Sequence, residues 1–267
     1  MSNARGDWNP QQYAKFADER AQPFHDLLAL VTPRVFERAV DLGCGTGELT
    51  ALATDQLEVR EMVGIDNSPA MLGIADQYMS SALHFVRGDI GQWTGSGAPV
   101  DLVLANASLQ WVPDHAAVLA RWVRGMRDGG QIAVQVPANA AMPSHTVISE
   151  VAHLDQFAEA FGKAGPPEDP VADNVLAPEE YATLLHDLGC TRQHVRLQVY
   201  PHVLDHSRSV VDWVRGTTLT RFQKVLDEAT FAAFVDEYER RLLATIGDHE
   251  PYFFPFRRIL MWGRLQG

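Results

Sequence analysis

The residues that could do chemistry in this chain fall where short apolar runs end. Asp41 lies at the end of "RAVDL", Asp66 closes "EMVGID" and Asp89 closes "LHFVRGD". After the first run comes "DLGCGTG", with glycines at 43, 45 and 47. Small residues at a strand end let a backbone approach a ligand closely, and the helix that follows offers free amides. A carboxylate at the second strand end can accept two ribose hydroxyls. One at the third strand end suits the amino group of an adenine. Together the three ends read as a nucleoside site. A nicotinamide dinucleotide fits poorly, because its fingerprint needs a third glycine where Glu48 stands, beside the pyrophosphate.

A fourth apolar run, "VDLVLAN", leads into "NASLQWVPDH". Asn106 to Trp111 contains no acid, base or nucleophile, although the carboxyl end of such a strand is where an α/β enzyme places its chemistry. Asp114 and His115 suit the start of a helix better than a catalytic pair.

Stretches of helical and strand period alternate around these residues. Helices are expected over about 48–56, from Ser68 as N-cap with Pro69 in the first turn, and over about 114–126. "GGQIAVQVP" is a fifth strand. This alternation predicts βαβ units and a mainly parallel sheet. The second half changes character. Residues 139–161 are helical in pattern, "GKAGPPEDPVADN" is a Pro/Gly-rich loop, and 177–190 form a helix ending near Gly189. "RQHVRLQVYPHVL" and "FRRILMWGRL" read as strands six and seven, with a helical block over 207–246 between them.

The expectation is therefore an α/β fold with a Rossmann-like, mainly parallel seven-stranded sheet, helices on both faces, and a helical cap formed by insertions. Residues 1–267 make a single domain in this reading. A lid helix spans 1–30, the cofactor-binding core 36–137, the cap insertions 139–165 and 205–247, and the remaining core 177–204 and 255–265.

Bulk properties narrow the function classes. The chain has 267 residues, and its net charge is −12 from 22 basic and 34 acidic residues. That field repels nucleic acid, so no nucleic-acid partner is expected. No apolar run is long enough for a membrane span, and the opening stretch is polar. The two cysteines, Cys44 and Cys190, read as reduced thiols, which points to the cytoplasm. No cysteine pair has zinc spacing, the ten histidines are scattered, and no metal is expected.

"VDLGCGTGELT", "GIDNSPAML" and "FVRGDI" resemble class I S-adenosylmethionine-dependent methyltransferases over roughly residues 37–136. The resemblance implies that Asp41, Gly43 and Gly45 lie along the methionine part of the cofactor. It places Asp66 at the ribose, Asp89 at the adenine amino group and Asn106 near the sulfonium, with Asn67, Met71 and Ile90 lining the adenosine. A narrower resemblance extends over almost the whole chain. "DWNPQQYAKFADERAQP", "NASLQWVPDH" and "VVDWVRGTTLTRF" look like trans-aconitate 2-methyltransferases, cytoplasmic enzymes that methylate a carboxylate. The segment "AVQVPANAAMPSHT" departs from that likeness in its plainness.

This family accounts for the missing base. A carboxylate, which ordinarily titrates at a pKa of about 4, is already an ionised nucleophile at neutral pH. The resemblance implies Tyr13 and Arg20 as ligands of the cofactor carboxylate, on a lid that excludes water. Gln110 and Trp111 are expected to shape the substrate pocket, with Gln110 donating to a carboxylate. In the second insertion Arg215 and Arg221 are expected to bind substrate carboxylates, with Trp213 as a wall. Arg208 shares a helix face with Arg215 in this reading, and Arg257 and Arg258 are weaker candidates.

No residue is expected to act as acid, base or nucleophile, and the product cofactor is S-adenosylhomocysteine. The expected partner is a small carboxylate, with the protein a monomer or weak homodimer. Two alternatives stand beside this reading: methylation of another small molecule at oxygen, nitrogen or carbon, and a non-catalytic S-adenosylmethionine-binding module.

Overall fold

Each apolar run becomes a strand, and the strands set the positions of the site residues. The computed structural model describes residues 17–95 and 97–267. In chain order these contain α1 (Ala17–Leu28), β1 (Phe36–Leu42), α2 (Glu48–Gln56), β2 (Val59–Asp66), α3 (Pro69–Ala75), β3 (Leu83–Arg87), β4 (Val100–Asn106), α4 (His115–Arg124) and β5 (Met126–Pro137). There follow α5 (Pro143–Ala152), α6 (Asp155–Phe161), α7 (Pro170–Asn174), α8 (Pro178–Asp187), β6 (Cys190–Leu204), α9 (Ser209–Arg215), α10 (Thr220–Gln223), α11 (Glu228–Ile246) and β7 (Tyr252–Leu265).

The sheet order is β3-β2-β1-β4-β5-β7-β6. Strands β1 to β5 pair in parallel, and β7 runs antiparallel to β5. The fold is the mainly parallel Rossmann-like α/β sheet that the alternation predicts. The order reverses between β1 and β4. In such sheets the crevice at the carboxyl ends of the two strands flanking the reversal receives the ligand. The glycine loop follows β1 and Asn106 ends β4, so both motifs open onto that point.

The chain divides into two compact units. One comprises Arg20–Ala138, Asn174–Gln198 and Arg258–Gly267 and contains the sheet core. Its apolar centre includes Val40, Val103, Val134, Trp122 and Ile259. The other includes Asn139–Asp173 and Val199–Arg257. Its centre packs Ile148, Phe222, Phe234, Tyr238 and Phe254.

Local sequence explains the helix starts. The Ser68 side chain accepts from the Met71 amide, and Pro69 opens α3 where its missing N–H costs nothing. The Asp114 side chain accepts from Ala117 N at 3.1 Å and starts α4. That helix stops at Arg124 rather than Met126, because β5 begins at Met126 and extends further back than "GGQIAVQVP".

The expected helical block over 207–246 is made of three helices, α9, α10 and α11. Gly216 ends α9, and the Thr217 and Thr220 hydroxyls turn back onto the carbonyls of Val214 and Thr217. The Asp227 side chain then caps α11. Within the expected loop 162–174, Asp169 accepts from Val171 N and starts α7.

Candidate functional site

The glycine loop is held by backbone and carboxylate together. The amides of Gly43 and Cys44 both donate to the Ile65 carbonyl, at 2.7 and 3.1 Å. Asp66 takes the Gly45 amide on one oxygen at 3.0 Å and the Ser68 amide on the other at 2.8 Å. A single half-buried carboxylate thus ties the loop after β1 to the start of α3.

Gly43 and Gly45 both have positive φ, +87° and +55°, but for different reasons. A Cβ on Gly43 would stand 2.2 Å from the Ser108 Cβ, so this glycine admits the loop after β4. A Cβ on Gly45 would meet nothing within 4 Å. The space beside Gly45 is open.

Asp41 is buried near the end of β1. Thr50 Oγ1 donates to its Oδ2 at 2.6 Å, and its Oδ1 has no hydrogen-bond partner among the described residues. Burial pushes its pKa up to about 6; the Thr50 hydroxyl opposes the rise, and the nearby Asp66 charge adds to it. Ionised Asp41 therefore costs the ligand-free fold on the order of 3 kcal/mol at pH 7. The sign follows from a raised folded pKa. This contribution to stability is present in full below the unfolded value of 3.8 and is lost as pH rises through about 6. A cation at Oδ1 reverses the balance. A ligand ammonium bound there is expected to hold less tightly as pH falls through about 6, by up to about tenfold per pH unit. Asp41→Asn is expected to abolish that slope. Calorimetric titration between pH 5 and 8 measures it, and a flat wild-type profile would remove Asp41 from the site.

The next strand end is fixed by local contacts. Asp89 accepts from Gly91 N at 2.8 Å and starts a short turn, Ile90–Gln92. Trp122 Nε1 and Arg121 Nε donate to the carbonyls of Ile90 and Gly91, so α4 pins this turn from behind. Asp89 and Asn67 are exposed, Ile90 is half-buried and Met71 is buried.

The loop after β4 is fixed from several sides. Ala107 adopts φ +52° and donates its amide to the Gln135 carbonyl. Ser108 Oγ donates to the Leu42 carbonyl, which joins the two loops at the reversal point. His115 is buried, with Nδ1 2.7 Å from Tyr181 Oη and Nε2 2.9 Å from the Leu109 carbonyl. Burial holds its pKa below the usual histidine range, so it positions the loop as a neutral ring. Asn174 Nδ2 donates to the Gln110 carbonyl at 3.0 Å.

Gln110 offers an acceptor rather than the expected donor. Its Nε2 already donates to the Ala107 carbonyl at 2.7 Å, and the atom left without a partner among the described residues is Oε1. Asn106 also presents an unpartnered Oδ1. Trp111 is exposed.

Among the other expected residues, Tyr13 lies outside the described residues. Arg20 lies on α1, and its side chain is outside them too. In the helical unit Arg215 is the half-buried last residue of α9. Trp213 is buried, packed against Phe254 and Phe256 with ring centroids 5.6 and 5.4 Å away. Arg221 forms a 3.0 Å ion pair with Asp169 and lies over the Phe222 ring. Arg208 stands immediately before α9, in helical backbone geometry, and pairs with Glu239.

Two residues at this end of the sheet escaped the sequence reading: Ser108, whose role is set by a contact with Gly43, and Gln135. The signal for Gln135 was a lone amide inside the apolar run "IAVQVP". Among the described residues no cluster of three His, Cys, Asp or Glu side chains is placed for a metal ion.

The open groups form a consistent set. Asp41, Asp66, Asp89 and Asn106 all present acceptors, beside a loop whose Gly45 leaves a gap. S-Adenosylmethionine presents the complementary donors and charge: an α-ammonium, a sulfonium, two ribose hydroxyls and an adenine amino group. These residues fit that group.

Comparison with known proteins agrees. Residues 39–130 match the family model described as a methyltransferase domain. Trans-aconitate 2-methyltransferase of Deinococcus radiodurans is 39% identical over 254 residues, covering 95% of this chain and 96% of that protein. The enzyme of the same name from Streptomyces avermitilis is 38% identical, covering 97% of each. Among solved structures, the YcgJ protein of Bacillus subtilis superposes with a TM-score of 0.60 at 16% identity, over 92% of this chain and 99% of that one. Phosphoethanolamine N-methyltransferase 2 of Haemonchus contortus, solved with S-adenosyl-L-methionine, gives 0.55 at 13% identity, over 92% of this chain and 53% of that one.

Proposed function

Because this chain belongs to the trans-aconitate 2-methyltransferase family, we propose that it transfers a methyl group from S-adenosylmethionine to a carboxylate of trans-aconitate, giving a monomethyl ester. The observation that carries the reading is the pairing of an acceptor-rich cofactor site with a strand-end loop, 106–111, that holds no titrating side chain.

When bound, the cofactor supplies an electrophilic methyl whose bond to sulfur breaks as a carboxylate oxygen attaches, sulfur keeping the electron pair. The chain's residues need supply no proton transfer. Their work is alignment, which can lower a barrier by roughly 7–11 kcal/mol. Asp41 Oδ1 suits the cofactor ammonium, and Asn106 Oδ1 suits the positive end nearest the methyl. Asp66 takes the ribose hydroxyls while still holding Gly45 and Ser68, and Asp89 takes the adenine amino group. Gly43 brings Ser108 against the glycine loop, so the two walls of the crevice are built as one piece.

Within this reading Tyr13 and Arg20 bind the cofactor carboxylate, an assignment supported by the family resemblance. Residues 1–30 then serve as a lid, and the helical insertions as a cap. Trp111, Trp213, Arg215 and Arg221 serve the substrate, and Gln110 shapes the loop beside it without donating to a carboxylate. The protein acts in the cytoplasm on a small molecule, as a monomer or weak homodimer, without nucleic-acid or membrane partners. No helix of the described residues is long and apolar enough to cross a membrane.

The test is transfer of labelled methyl to trans-aconitate, cis-aconitate, citrate and isocitrate, with mass spectrometry of the products. A base-labile monomethyl ester from trans-aconitate is the expected result. Cofactor binding with no transfer to any of these acids would overturn the substrate. Arg221→Ala is expected to raise KM for trans-aconitate roughly tenfold to a hundredfold, with cofactor Kd unchanged. A lower Tm at unchanged KM would show that Arg221 serves only its ion pair with Asp169.

A further inference from the structure

Four neighbouring strands of the sheet unit present one row of polar side chains at the ligand end. In-register partners on adjacent strands point to the same face, and so do residues two apart on one strand. Asp41 pairs with Leu104, Asn106 with Gln135, and Pro137 with Arg258. Asp41, Asn106, Gln135 and Arg258 therefore share a face, on β1, β4, β5 and β7 in spatial order.

Their chemistry changes sign along the row. Asp41 Oδ1 and Asn106 Oδ1 are acceptors without a partner among the described residues. At Gln135 the unpartnered atom is the donor Nε2. Its Oε1 accepts from Arg258 Nη1 at 3.1 Å, which fixes the direction of the amide. Gln135 is 0% exposed and Arg258 6%. An unpaired donor buried this deeply is destabilising unless something accepts from it.

Gln131, on the same face four residues earlier, shows the contrast. Its Oε1 accepts from Thr32 N and Trp262 Nε1, and its Nε2 donates to the Thr32 carbonyl. A structural glutamine in this strand is satisfied at both ends; Gln135 is satisfied at one.

We infer that Gln135 and Arg258 form the receptor for a carboxylate group of the substrate, opposite in polarity to the Asp41–Asn106 end of the same row. Strand spacing places Gln135 about 5 Å from Asn106 across the sheet, so an anion held there lies beside the residue assigned to the methyl end. The guanidinium supplies charge, and the amide N–H supplies direction. The inference rests on the reading of a carboxylate acceptor and adds the residues that select it.

The experiment is direct binding of trans-aconitate to the full chain saturated with S-adenosylhomocysteine, by calorimetry, in wild type, Gln135→Glu and Arg258→Lys. A glutamate at 135 still accepts from Arg258, so Tm is expected to hold and S-adenosylhomocysteine Kd to stay within about threefold. It removes the donor and sets a negative charge in its place. Trans-aconitate Kd is expected to rise roughly 10–100-fold. Arg258→Lys, which loses the fork but keeps the charge, is expected to weaken binding by about tenfold.

Binding by Gln135→Glu within threefold of wild type would overturn the receptor, and so would a wild type that binds no tricarboxylate. If the glutamate variant does not fold, the lysine variant decides, and undiminished binding there overturns it equally. Methyl transfer is read separately. A wild type that binds trans-aconitate without methylating it overturns the reaction and leaves the receptor standing.

Discussion

Asp66→Ala is expected to weaken S-adenosylhomocysteine binding by roughly a hundredfold to a thousandfold. The carboxylate has two tasks that a methyl group cannot share. It accepts the amides of Gly45 and Ser68, at 3.0 and 2.8 Å, and so fixes the loop after β1 against the start of α3. Its position at the end of β2 also suits the ribose hydroxyls. Two hydrogen bonds to a charged group contribute about 1.5–3 kcal/mol each, and the lower part of their sum, about 3–4 kcal/mol, converts to the range given. Part of the loss comes from the free protein, whose glycine loop loses its tether. Asp66→Asn separates the two tasks, since an amide keeps one acceptor but turns a donor toward one of the two amides. It is expected to fall between wild type and Asp66→Ala. Calorimetry gives the affinity and thermal melting the loop's share. An alanine variant that binds within threefold of wild type would detach Asp66 from the ribose.

The elements that carry the expected cofactor residues were legible because their signals are local. Positive φ calls for glycine at 43 and 45, a strand end followed by Ser68 and Pro69 announces a capped helix, and the aspartates close runs that are plainly strands. What could not be read depends on partners distant in sequence. The charge of Arg221 is matched by Asp169, 52 positions away. Gln135 takes its direction from Arg258, 123 positions away. The Gln110 amide turns inward because the φ +52° of Ala107 leaves a carbonyl beside it. Composition marks a glutamine or an arginine as polar; only the register of the strands decides which end of it is left unsatisfied. Over 207–246 the expected helical pattern holds, and its internal breaks are local, at Gly216, Thr217 and Thr220.

The two glycines of the loop can be told apart by one methyl group each. Gly43→Ala is expected to destabilise the fold by about 3–6 kcal/mol. The added Cβ would stand 2.2 Å from the Ser108 Cβ and 2.8 Å from its Oγ, at a φ of +87°. Left-handed backbone costs a non-glycine residue about 1–2 kcal/mol, and forcing apart a packed contact about 1–3 more. Displacing Ser108 also breaks its hydrogen bond to the Leu42 carbonyl, a loss of about 1 kcal/mol. For a chain of this size the melting temperature is expected to fall by about 10 °C. Combining Gly43→Ala with Ser108→Gly removes the collision but neither the backbone strain nor the loss of the Ser108 hydrogen bond, so only the collision's share, about 1–3 kcal/mol, is expected to return.

Gly45→Ala meets no neighbour and is expected to cost only the strain, about 1–2 kcal/mol. Its methyl group would stand in the space assigned to the cofactor, so binding, and not folding, is expected to carry its larger effect. Thermal melts and S-adenosylhomocysteine titrations of the two single variants measure both quantities. Should Gly45→Ala bind normally, the gap beside that residue is not where the ligand lies. Should Gly43→Ala melt within about 2 °C of wild type, Ser108 does not hold the two loops together.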